Sequence, residues 1–216
     1  MKIKLAHHHS RALTFVEVIV GVVVLLGLLV LILPYFAQCH SRATRIVCVF
    51  NLKETGLGFR RWAGDHGELY PMKFYTNRVG GPRWLESGDL FRYFQVLSNS
   101  VKSLTNLVCP DDKQVRSATN FAGDFGPQSI SYFAALQADE SDPNMVLAGD
   151  RNITNGMPRL GGLLRLDTNR VAGWTHKIHH GAGNLAITDG SVQQLTSSGL
   201  NTAVLLCGVT NWLLFP

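Results

Sequence analysis

The 216-residue sequence lacks the patterns that most often identify an enzyme or a nucleic-acid-binding protein. It contains no GxSxG nucleophile motif and no phosphate-binding glycine loop. Its four cysteines are too few for a disulfide scaffold, and none forms a CxxC pair of the kind that binds zinc. It has no internal repeat, no low-complexity tail and no basic stripe interleaved with aromatic residues. These absences predict a protein that is not an enzyme, needs no cofactor and does not bind nucleic acid.

Charge is sparse, and its small excess lies at the start of the chain. Charged residues make up 16% of the sequence, and the formal net charge is +5. Lys2, Lys4 and Arg11 precede the first apolar run; without residues 1–12, there remain 17 basic and 15 acidic side chains. Basic residues that flank an apolar segment stay on the cytoplasmic side of a membrane. The early charges therefore indicate membrane topology.

A continuous apolar run follows these charges. Every residue from Val18 to Leu33 is apolar or glycine, and residues 13–37 carry a single charge, that of Glu17. As an α-helix this stretch would be about 37 Å long, enough to cross a hydrocarbon layer of about 30 Å. The run therefore predicts a membrane-spanning helix.

Two cleaved signals are alternatives to a retained helix. A secretory signal needs small residues before a cut that follows the apolar run, and Tyr35 stands at such a position. A lipoprotein signal would use Cys39, but Gln38 occupies the preceding position, where a small residue is expected. Neither alternative explains Glu17, because a carboxylate in lipid costs on the order of a few kcal/mol and indicates a functional partner.

The string Arg11-Ala12-Leu13-Thr14-Phe15-Val16-Glu17 resembles the type III signal of type IV prepilins and type II secretion pseudopilins. The resemblance implies that a prepilin peptidase cuts between Ala12 and Leu13 and that Leu13 becomes the N-methylated first residue. Glu17 is then the fifth mature residue, which acts in assembly, and Pro34 lies where pilin helices often kink. Ala12 and Leu13 replace the usual glycine and phenylalanine or methionine, and Ala12 keeps a small residue before the cut.

The predicted fold class is α+β and pilin-like, with a long N-terminal helical spine packed on a small antiparallel β-sheet head. Beyond Pro34, apolar or small residues recur at intervals of three and four, which predicts that the helix continues to about Gly64 with one face toward a core. The members of this stripe are Ile46, Val49, Leu52, Gly56, Phe59 and Ala63. The predicted organisation is a leader (1–12), a transmembrane and assembly helix (13–37), an amphipathic continuation (38–64) and a globular head (65–216).

Within the head, short apolar runs between turn residues predict strands, and one run predicts a helix. Pro71 and the glycine-rich segment after it predict a loop. Asp189-Gly190 predicts a two-residue hairpin turn that would place Ile187 opposite Val192. The C-terminal run Ala203–Leu214 predicts a core-packing helix or strand. The helix is expected at Ser87–Leu97 with Ser87 as its cap, and the strands at Ile130–Leu136, Met145–Ala148 and Leu163–Leu166, with a hairpin over Asn184–Thr196.

The head carries a second resemblance, to the pilin-like proteins called H-X9-DG proteins, which are abundant in planctomycetes and verrucomicrobia. Four segments carry it: Cys48-Val49-Phe50-Asn51-Leu52-Lys53, Cys109-Pro110-Asp111, Gly149-Asp150-Arg151-Asn152, and His179 followed after nine residues by Asp189-Gly190. The resemblance extends the pilin-like interpretation over most of the chain and gives the motif His179, Asp189 and Gly190 no established role.

Two metal sites are alternatives to a structural role for these residues. His176, His179 and His180 with Asp189 could bind a metal, since His176 and His180 have the i, i+4 spacing of helical zinc ligands. Gly181-Ala182-Gly183 argues against a helix there, so a turn at Asp189 and a hydrogen-bonded histidine are preferred. An acidic cluster could bind calcium, but three clustered acids usually form a solvated loop. Its members are Asp139, Glu140 and Asp142.

The sequence thus favours a structural subunit of a type II secretion-like pseudopilus or type IV pilus-like filament. Its expected partners are the prepilin peptidase, other pilin-like subunits and the inner membrane, which it crosses once with a periplasmic head. There, a disulfide between Cys48 and Cys109 could tie a loop to the spine, and two buried thiols are the alternative. The alternative function is a membrane-anchored binding protein or metal-dependent hydrolase with an extracytoplasmic head.

Overall fold

The structure of the protein, a computed structural model, describes residues 14–76, 89–159, 161–167, 169–207 and 211–216. The predicted cleavage site at Ala12 and Leu13 lies outside the described residues. The longest element is helix α1, Phe15–Gly64. The chain forms two compact units, Met1–Ala43 and Thr44–Pro216, and the boundary between them falls within α1.

In the first unit, α1 carries the apolar run. Phe15–Leu33 is long and apolar enough to cross a membrane, and no part of it is buried. Its large apolar side chains remain between 46% and 79% exposed, at Ile19 and Phe15 respectively. The helical backbone continues through Pro34, and the kink there remains a prediction.

In the second unit, the outer part of α1 supplies one wall of the core. Leu52, Gly56, Phe59 and Ala63 are buried, which confirms most of the predicted apolar stripe, and Cys48 is buried as well. Complete burial of a leucine or phenylalanine side chain contributes about 1.5–3 kcal/mol. The prediction for Ile46 is wrong, since its side chain is 66% exposed. Two residues correspond to about 200° of helical rotation, so Ile46 lies on the face opposite Cys48.

Among the described residues, six strands form one antiparallel sheet. They are β1 (Tyr132–Ala135), β2 (Val146–Asp150), β4 (Leu163–Leu166), β6 (Ala182–Ile187), β7 (Val192–Thr196) and β8 (Asn211–Leu214). Their order in the sheet is β4–β8–β1–β2–β6–β7. Together with α1 the sheet confirms the predicted α+β class, and the arrangement is compatible with a pilin-like fold. The three predicted strand runs are confirmed as β1, β2 and β4. Strands β3 (Ile153–Thr154) and β5 (Gly173–Trp174) form a separate antiparallel pair.

The central strands β2 and β6 are buried along their whole length. Helix α1 approaches them at Gly56, where an added Cβ would lie 3.9 Å from Leu147 of β2 and Ala186 of β6. The indole ring of Trp174 from β5 packs directly against Gly183 of β6. These contacts place α1 and Trp174 directly against the two central strands.

The remaining helices differ in part from the sequence predictions. Pro71 does not lie in a loop but starts a short helix, because proline suits the first helical turn. The helix predicted at Ser87–Leu97 starts at Leu90, and Ser87 lies outside the described residues. The run Ala203–Leu214 contributes to both a helix and a strand. The helices are α2 (Pro71–Thr76), α3 (Leu90–Gln95) and α4 (Ser197–Cys207), with 3-10 turns at Val96–Asn99, Leu104–Leu107 and Pro127–Ser129.

The β6–β7 hairpin forms as predicted, but its loop is one residue longer. Ala186, and not Ile187, pairs with Val192. Gly190 N donates to Ile187 O at 2.9 Å, and Ile187 N donates to Ser191 O at 2.9 Å. Gly190 has φ of +89°. The three-residue loop is thus a tight turn followed by a left-handed glycine. The Asp-Gly pair is suited both to this loop and to the predicted two-residue turn.

The hairpin loop predicts a specific order of stability among substitutions at Gly190. Gly190→Val should lower the free energy of unfolding by about 1–2 kcal/mol, because a side chain at positive φ is strained. An added Cβ would also lie 2.9 Å from Arg60 Nη1. Gly190→Asn should cost less, because asparagine tolerates this conformation. Urea unfolding of the full chain in detergent, followed by tryptophan fluorescence, measures the order.

The matched control is Asp189→Asn, which keeps the Oδ1 acceptor that Ser191 N binds at 2.7 Å. We expect a change within about 0.5 kcal/mol for this variant. Equal stability of Gly190→Val and wild type would contradict the assigned loop.

Candidate functional site around His179

The four segments of the H-X9-DG resemblance meet at one buried polar cluster, which we call the His179 cluster (Cys48, Cys109, Asp111, Asp150, His179 and Asn184). A disulfide joins Cys48 on α1 to Cys109, with 4.8 Å between the Cα atoms. Both cysteines are fully buried. The sequence left open whether these two cysteines form a disulfide or remain buried thiols; the structure has the disulfide, which attaches the loop after the Leu104–Leu107 turn to the helix.

The imidazole ring of His179 lies against this disulfide with its nitrogen atoms in defined contacts. Its Nδ1 lies 3.2 Å from Asp111 Oδ2, which also accepts the main-chain N–H of His179 at 2.6 Å. Its Nε2 lies 3.1 Å from Asn184 Nδ2 and 3.4 Å from Cys109 Sγ. An amide nitrogen only donates, so Nε2 accepts from Asn184. The proton of neutral His179 therefore resides on Nδ1, the nitrogen that faces Asp111 Oδ2.

Asp150 completes the cluster from the end of β2. Its carboxylate is fully buried, and Oδ2 accepts the main-chain N–H and the Nδ2 of Asn184 at 2.8 and 2.9 Å. Burial raises the pKa of Asp150 to about 7, although the two hydrogen bonds from Asn184 oppose the shift. Burial likewise lowers the pKa of His179, against the attraction of Asp111. Near neutral pH, Asp150 is therefore only about half ionised and His179 is mainly neutral, so the 3.4 Å contact between His179 Nε2 and Asp150 Oδ2 is not a full ion pair.

The backbone that presents His179 is held in an unusual conformation. His179 and His180 both have φ of +52°, and Gly181 follows with φ of +84°. Non-glycine residues in this region cost about 1–2 kcal/mol each. Asn152 offsets this cost by donating from Nδ2 to the carbonyl oxygens of Thr175, Ile178 and Ala182 at 2.9, 2.9 and 3.0 Å. The segment is therefore clamped on both sides of His179.

Helix α1 holds the loop that carries Cys109 and Asp111 by further polar contacts. Asn51 Nδ2 donates to Val108 O at 2.8 Å, and Thr55 Oγ1 donates to Asn106 O at 2.9 Å. Cys48, Asn51 and Thr55 lie at i, i+3 and i+7 on one face of α1. The sequence interpretation assigned no role to Asn51, Thr55, Asp111 or Asn184; polar residues at helical spacing beside a cysteine were the available signal for the first two.

The motif His179, Asp189 and Gly190 does not form a single site. His179 lies before β6 and the Asp189-Gly190 turn follows it, so the nine intervening residues contain the whole strand. Asp189 O accepts from Arg60 Nη1 at 3.2 Å, which connects the turn to α1. The motif therefore specifies the length of β6 between a buried histidine and a tight turn.

The histidine metal site that the sequence left as an alternative is not assembled among the described residues. His176, His180 and Asp189 are exposed, whereas His179 is buried. The cluster with suitable ligand atoms is instead Cys48, Cys109 and His179, whose atoms lie within 4.8 Å of one another. Cysteine binds zinc as a thiolate, and the two cysteines have no thiolate while they are joined in a disulfide. In the oxidised protein, this cluster is accordingly a structural site.

The acidic loop is also occupied by contacts within the chain. Asp139 pairs with Lys73 and accepts from Ser141, and Glu140 pairs with Arg60 at 3.4 Å. The carboxylate of Asp142 accepts from Asn144 N at 3.1 Å. These carboxylates stabilise turns and ion pairs instead of converging on one point, as a calcium ion would require.

Glu17 has local partners at the start of α1. Its Oε2 accepts from the main-chain N–H and from Oγ1 of Thr14, both at 2.9 Å, and its own N–H donates to Thr14 Oγ1 at 3.4 Å. This reciprocal pattern is a capping box. Glu17 is therefore well placed to cap the N-terminus of the helix, a role that the sequence interpretation did not consider.

The fold and the His179 cluster define an α+β protein with an apolar N-terminal helix and a head closed by a buried disulfide. Comparison with protein-family models, with curated proteins and with solved structures finds no match to this chain.

The disulfide predicts a large loss of stability on removal. It spans 61 residues, and closing a loop of this length stabilises a protein by about 4 kcal/mol in the chain-entropy model. Cys48→Ala, Cys109→Ala and the double variant should all lose a similar amount, because each removes the same crosslink. Urea unfolding measures the loss, and peptide mapping without reductant should recover Cys48 and Cys109 as one linked pair. Alkylation of either cysteine before reduction would contradict the assignment.

Asp150 predicts a definite pH dependence. Its native pKa of about 7 exceeds the ordinary value of 3.8, so the folded state binds this proton more tightly than the unfolded state. The contribution to stability is complete below about pH 4 and declines as the pH rises to about 7, by at most ~1.4 kcal/mol per pH unit. The lowered pKa of His179 acts in the opposite direction below pH ~6.5. The stability of Asp150→Asn relative to wild type should therefore increase between pH 4.5 and 7, which urea titrations at several pH values measure.

Asp189→Asn is the control for this experiment. The pKa of Asp189 is lowered by its hydrogen bonds to Ser191. The difference in unfolding free energy between Asp189→Asn and wild type should therefore be constant above about pH 5. A constant difference between Asp150→Asn and wild type over the same range would refute the prediction for Asp150.

Proposed function

We propose that this chain is a structural subunit of a type II secretion-like pseudopilus or type IV pilus-like filament, made as a precursor and cut by a prepilin peptidase between Ala12 and Leu13. The observation that carries the proposal is the apolar segment Phe15–Leu33, which bears one carboxylate at its start and buries none of its side chains. Such a surface needs an apolar environment on every side. Lipid supplies it before assembly, and the helices of neighbouring subunits supply it afterwards.

The position of Glu17 supports assembly over simple anchoring. Cleavage before Leu13 would create a positive α-amino group four residues from Glu17. Both charges are costly at an apolar boundary unless they are paired. The amino group of a neighbouring subunit can pair with Glu17 when two helices slide into register. This ion pair would stabilise the docked subunits and fix the axial offset between them.

The outer part of α1 offers a second apolar surface. Ile46, Val47 and Phe50 are 66%, 44% and 57% exposed, although they belong to the compact unit of the head. They lie at i, i+1 and i+4 and so share one side of the helix. Exposed apolar residues clustered in this way mark an interaction surface. Contact between subunits through this side would extend the association beyond the membrane.

The His179 cluster fits a head that works outside the cytoplasm. Disulfides persist in oxidising compartments, and this one is buried where thiol reagents have no access. The proposed location is the inner membrane, crossed once with the head in the periplasm, before the subunit enters the filament. The prepilin peptidase and other pilin-like subunits are its proposed partners.

The capping box at Thr14 gives a sharp test of whether Glu17 acts through its charge. Glu17→Gln keeps the acceptor that caps the helix but removes the charge, whereas Thr14→Ala removes the cap and keeps the charge. Intersubunit pairing predicts that Glu17→Gln inserts, folds and is cleaved but is lost from sheared filaments, and that Thr14→Ala assembles. Glu17→Asp should be intermediate, because its shorter side chain reaches less far. Filament recovery and intersubunit crosslinking in the native host measure assembly.

Intact mass and N-terminal sequencing of the same preparations monitor processing. The mature chain of wild type and of every variant should begin at Leu13, with one added methyl group. Normal assembly of Glu17→Gln together with failure of Thr14→Ala would assign Glu17 to helix capping alone. Recovery of wild type with Met1 at its terminus, in cells that possess the peptidase, would favour the alternative of a membrane-anchored binding protein or hydrolase.

A further inference from the structure

The head contains a basic cavity that the filament proposal does not use. The cavity, which we call the Arg159 cavity, has a volume of about 180 Å³ and lies beside the β3–β5 pair. Three of its lining residues are cations and one is an anion: Arg151, Arg159, Lys177 and Asp112. An excess of positive charge in a concave site attracts anions.

The one anion is already paired. Arg151 Nε and Nη2 lie 2.5 and 2.9 Å from the two carboxylate oxygens of Asp112, a bidentate pair, and Nη2 also donates to Gln114 Oε1 at 3.0 Å. The charge of Asp112 is thus committed to Arg151. Arg159 and Lys177 form no ion pair with the described residues, so they account for the positive excess in the cavity.

Arg159 is fixed in place by neutral groups only. Its Nη2 donates to the carbonyl oxygens of Arg151 and Ile153 at 2.7 and 3.2 Å, and its guanidinium lies 3.6 Å from the centre of the Phe215 ring. The side chain of Arg159 is nevertheless exposed. Desolvation and the nearby charge of Arg151 lower the pKa of Arg159. Among the described residues, Nε and Nη1 have no hydrogen-bond partner. A guanidinium oriented in this way, with a free edge, is suited to bind a carboxylate or sulfate group in two-point contact.

A second cavity of about 180 Å³ adjoins the first and shares Met157 and Leu164 with it. Its wall includes Trp212, which is 39% exposed and whose ring has the Arg165 guanidinium 5.9 Å from its centre. The same wall carries polar side chains on Asn155, Asp167 and Arg170, of which Asn155 already donates to Arg165 O at 2.7 Å and Asp167 pairs with Arg165 at 3.4 Å. Sugar rings have an apolar C–H face, which packs on the electron-rich face of an indole, and hydroxyl groups that need both donors and acceptors.

From these observations we propose that the two cavities form one groove for an acidic saccharide. The carboxylate or sulfate of one sugar unit pairs with Arg159 and Lys177, and the next unit stacks on Trp212. This activity is binding without chemical conversion, and it does not depend on filament assembly. It would give the head a ligand on the outside of the cell, whether the head is carried by a filament or by an anchored monomer.

The test is calorimetric titration of the full chain in detergent with an α-1,4-linked digalacturonate and with the corresponding neutral digalactoside. We expect saturable binding of the acidic disaccharide and no detectable binding of the neutral one. Lys177→Gln and Arg159→Gln should each weaken binding by about tenfold or more, as expected for loss of a charged hydrogen bond. Trp212→Ala should lower the affinity for the acidic disaccharide and leave the affinity for monomeric galacturonate unchanged.

Lys53→Gln is the matched control, because it removes the same charge from an exposed position on α1 that does not line either cavity. Lys177 is exposed, so its replacement tests the site even if Arg159→Gln fails to fold. Four results would overturn the proposal: no binding by wild type, equal losses in Lys53→Gln and Lys177→Gln, equal affinity for the neutral disaccharide, or equal affinity for inorganic sulfate or an acidic dipeptide. Failure of the Glu17 variants to affect assembly would leave this proposal unchanged.

Discussion

The covalent bond between Cys48 and Cys109 is the constraint on which the polar interior of the head depends. It fixes the loop at residues 105–112 against α1, and that loop carries Asp111 to the imidazole of His179. His179 in turn meets Asn184 within β6 and Asp150 at the end of β2. Each later contact needs the earlier one, because a histidine and an aspartate are stable in a dry interior only when their hydrogen bonds are made.

The same dependence explains why an unusual backbone is kept around His179. A three-residue left-handed segment would be unfavourable in isolation, and here it is clamped by Asn152 on one side and Asp111 on the other. This backbone conformation places a buried imidazole just before β6, one strand length from the Asp189-Gly190 turn. A strand of six residues is about 20 Å long, so an insertion or deletion within it would displace either the histidine or the turn.

The sequence predicted the elements that rest on periodicity or on strong turn residues. The end of α1 at Gly64, the strands β1, β2 and β4, and the burial of Leu52 and Phe59 all follow from local patterns. Ile46 was misplaced because spacing alone does not say which face meets the core. The loop length at Asp189-Gly190 was wrong because that dipeptide suits two kinds of turn. The His179 cluster required contacts between residues as far apart as Cys109 and His179, and no local pattern contains those distances.

The outer part of α1 is attached to the head at separate levels along its axis. Cys48 is bonded covalently, Asn51 and Thr55 hold main-chain carbonyl groups, and Arg60 reaches the hairpin loop. The first and last of these points are about 18 Å apart along the helix. A tensile load applied along α1 would therefore be shared among several attachments in shear, with a covalent bond nearest the end that is pulled. Such a joint resists detachment far better than one whose contacts open in succession, and it suits a head that must stay on its helix under mechanical strain.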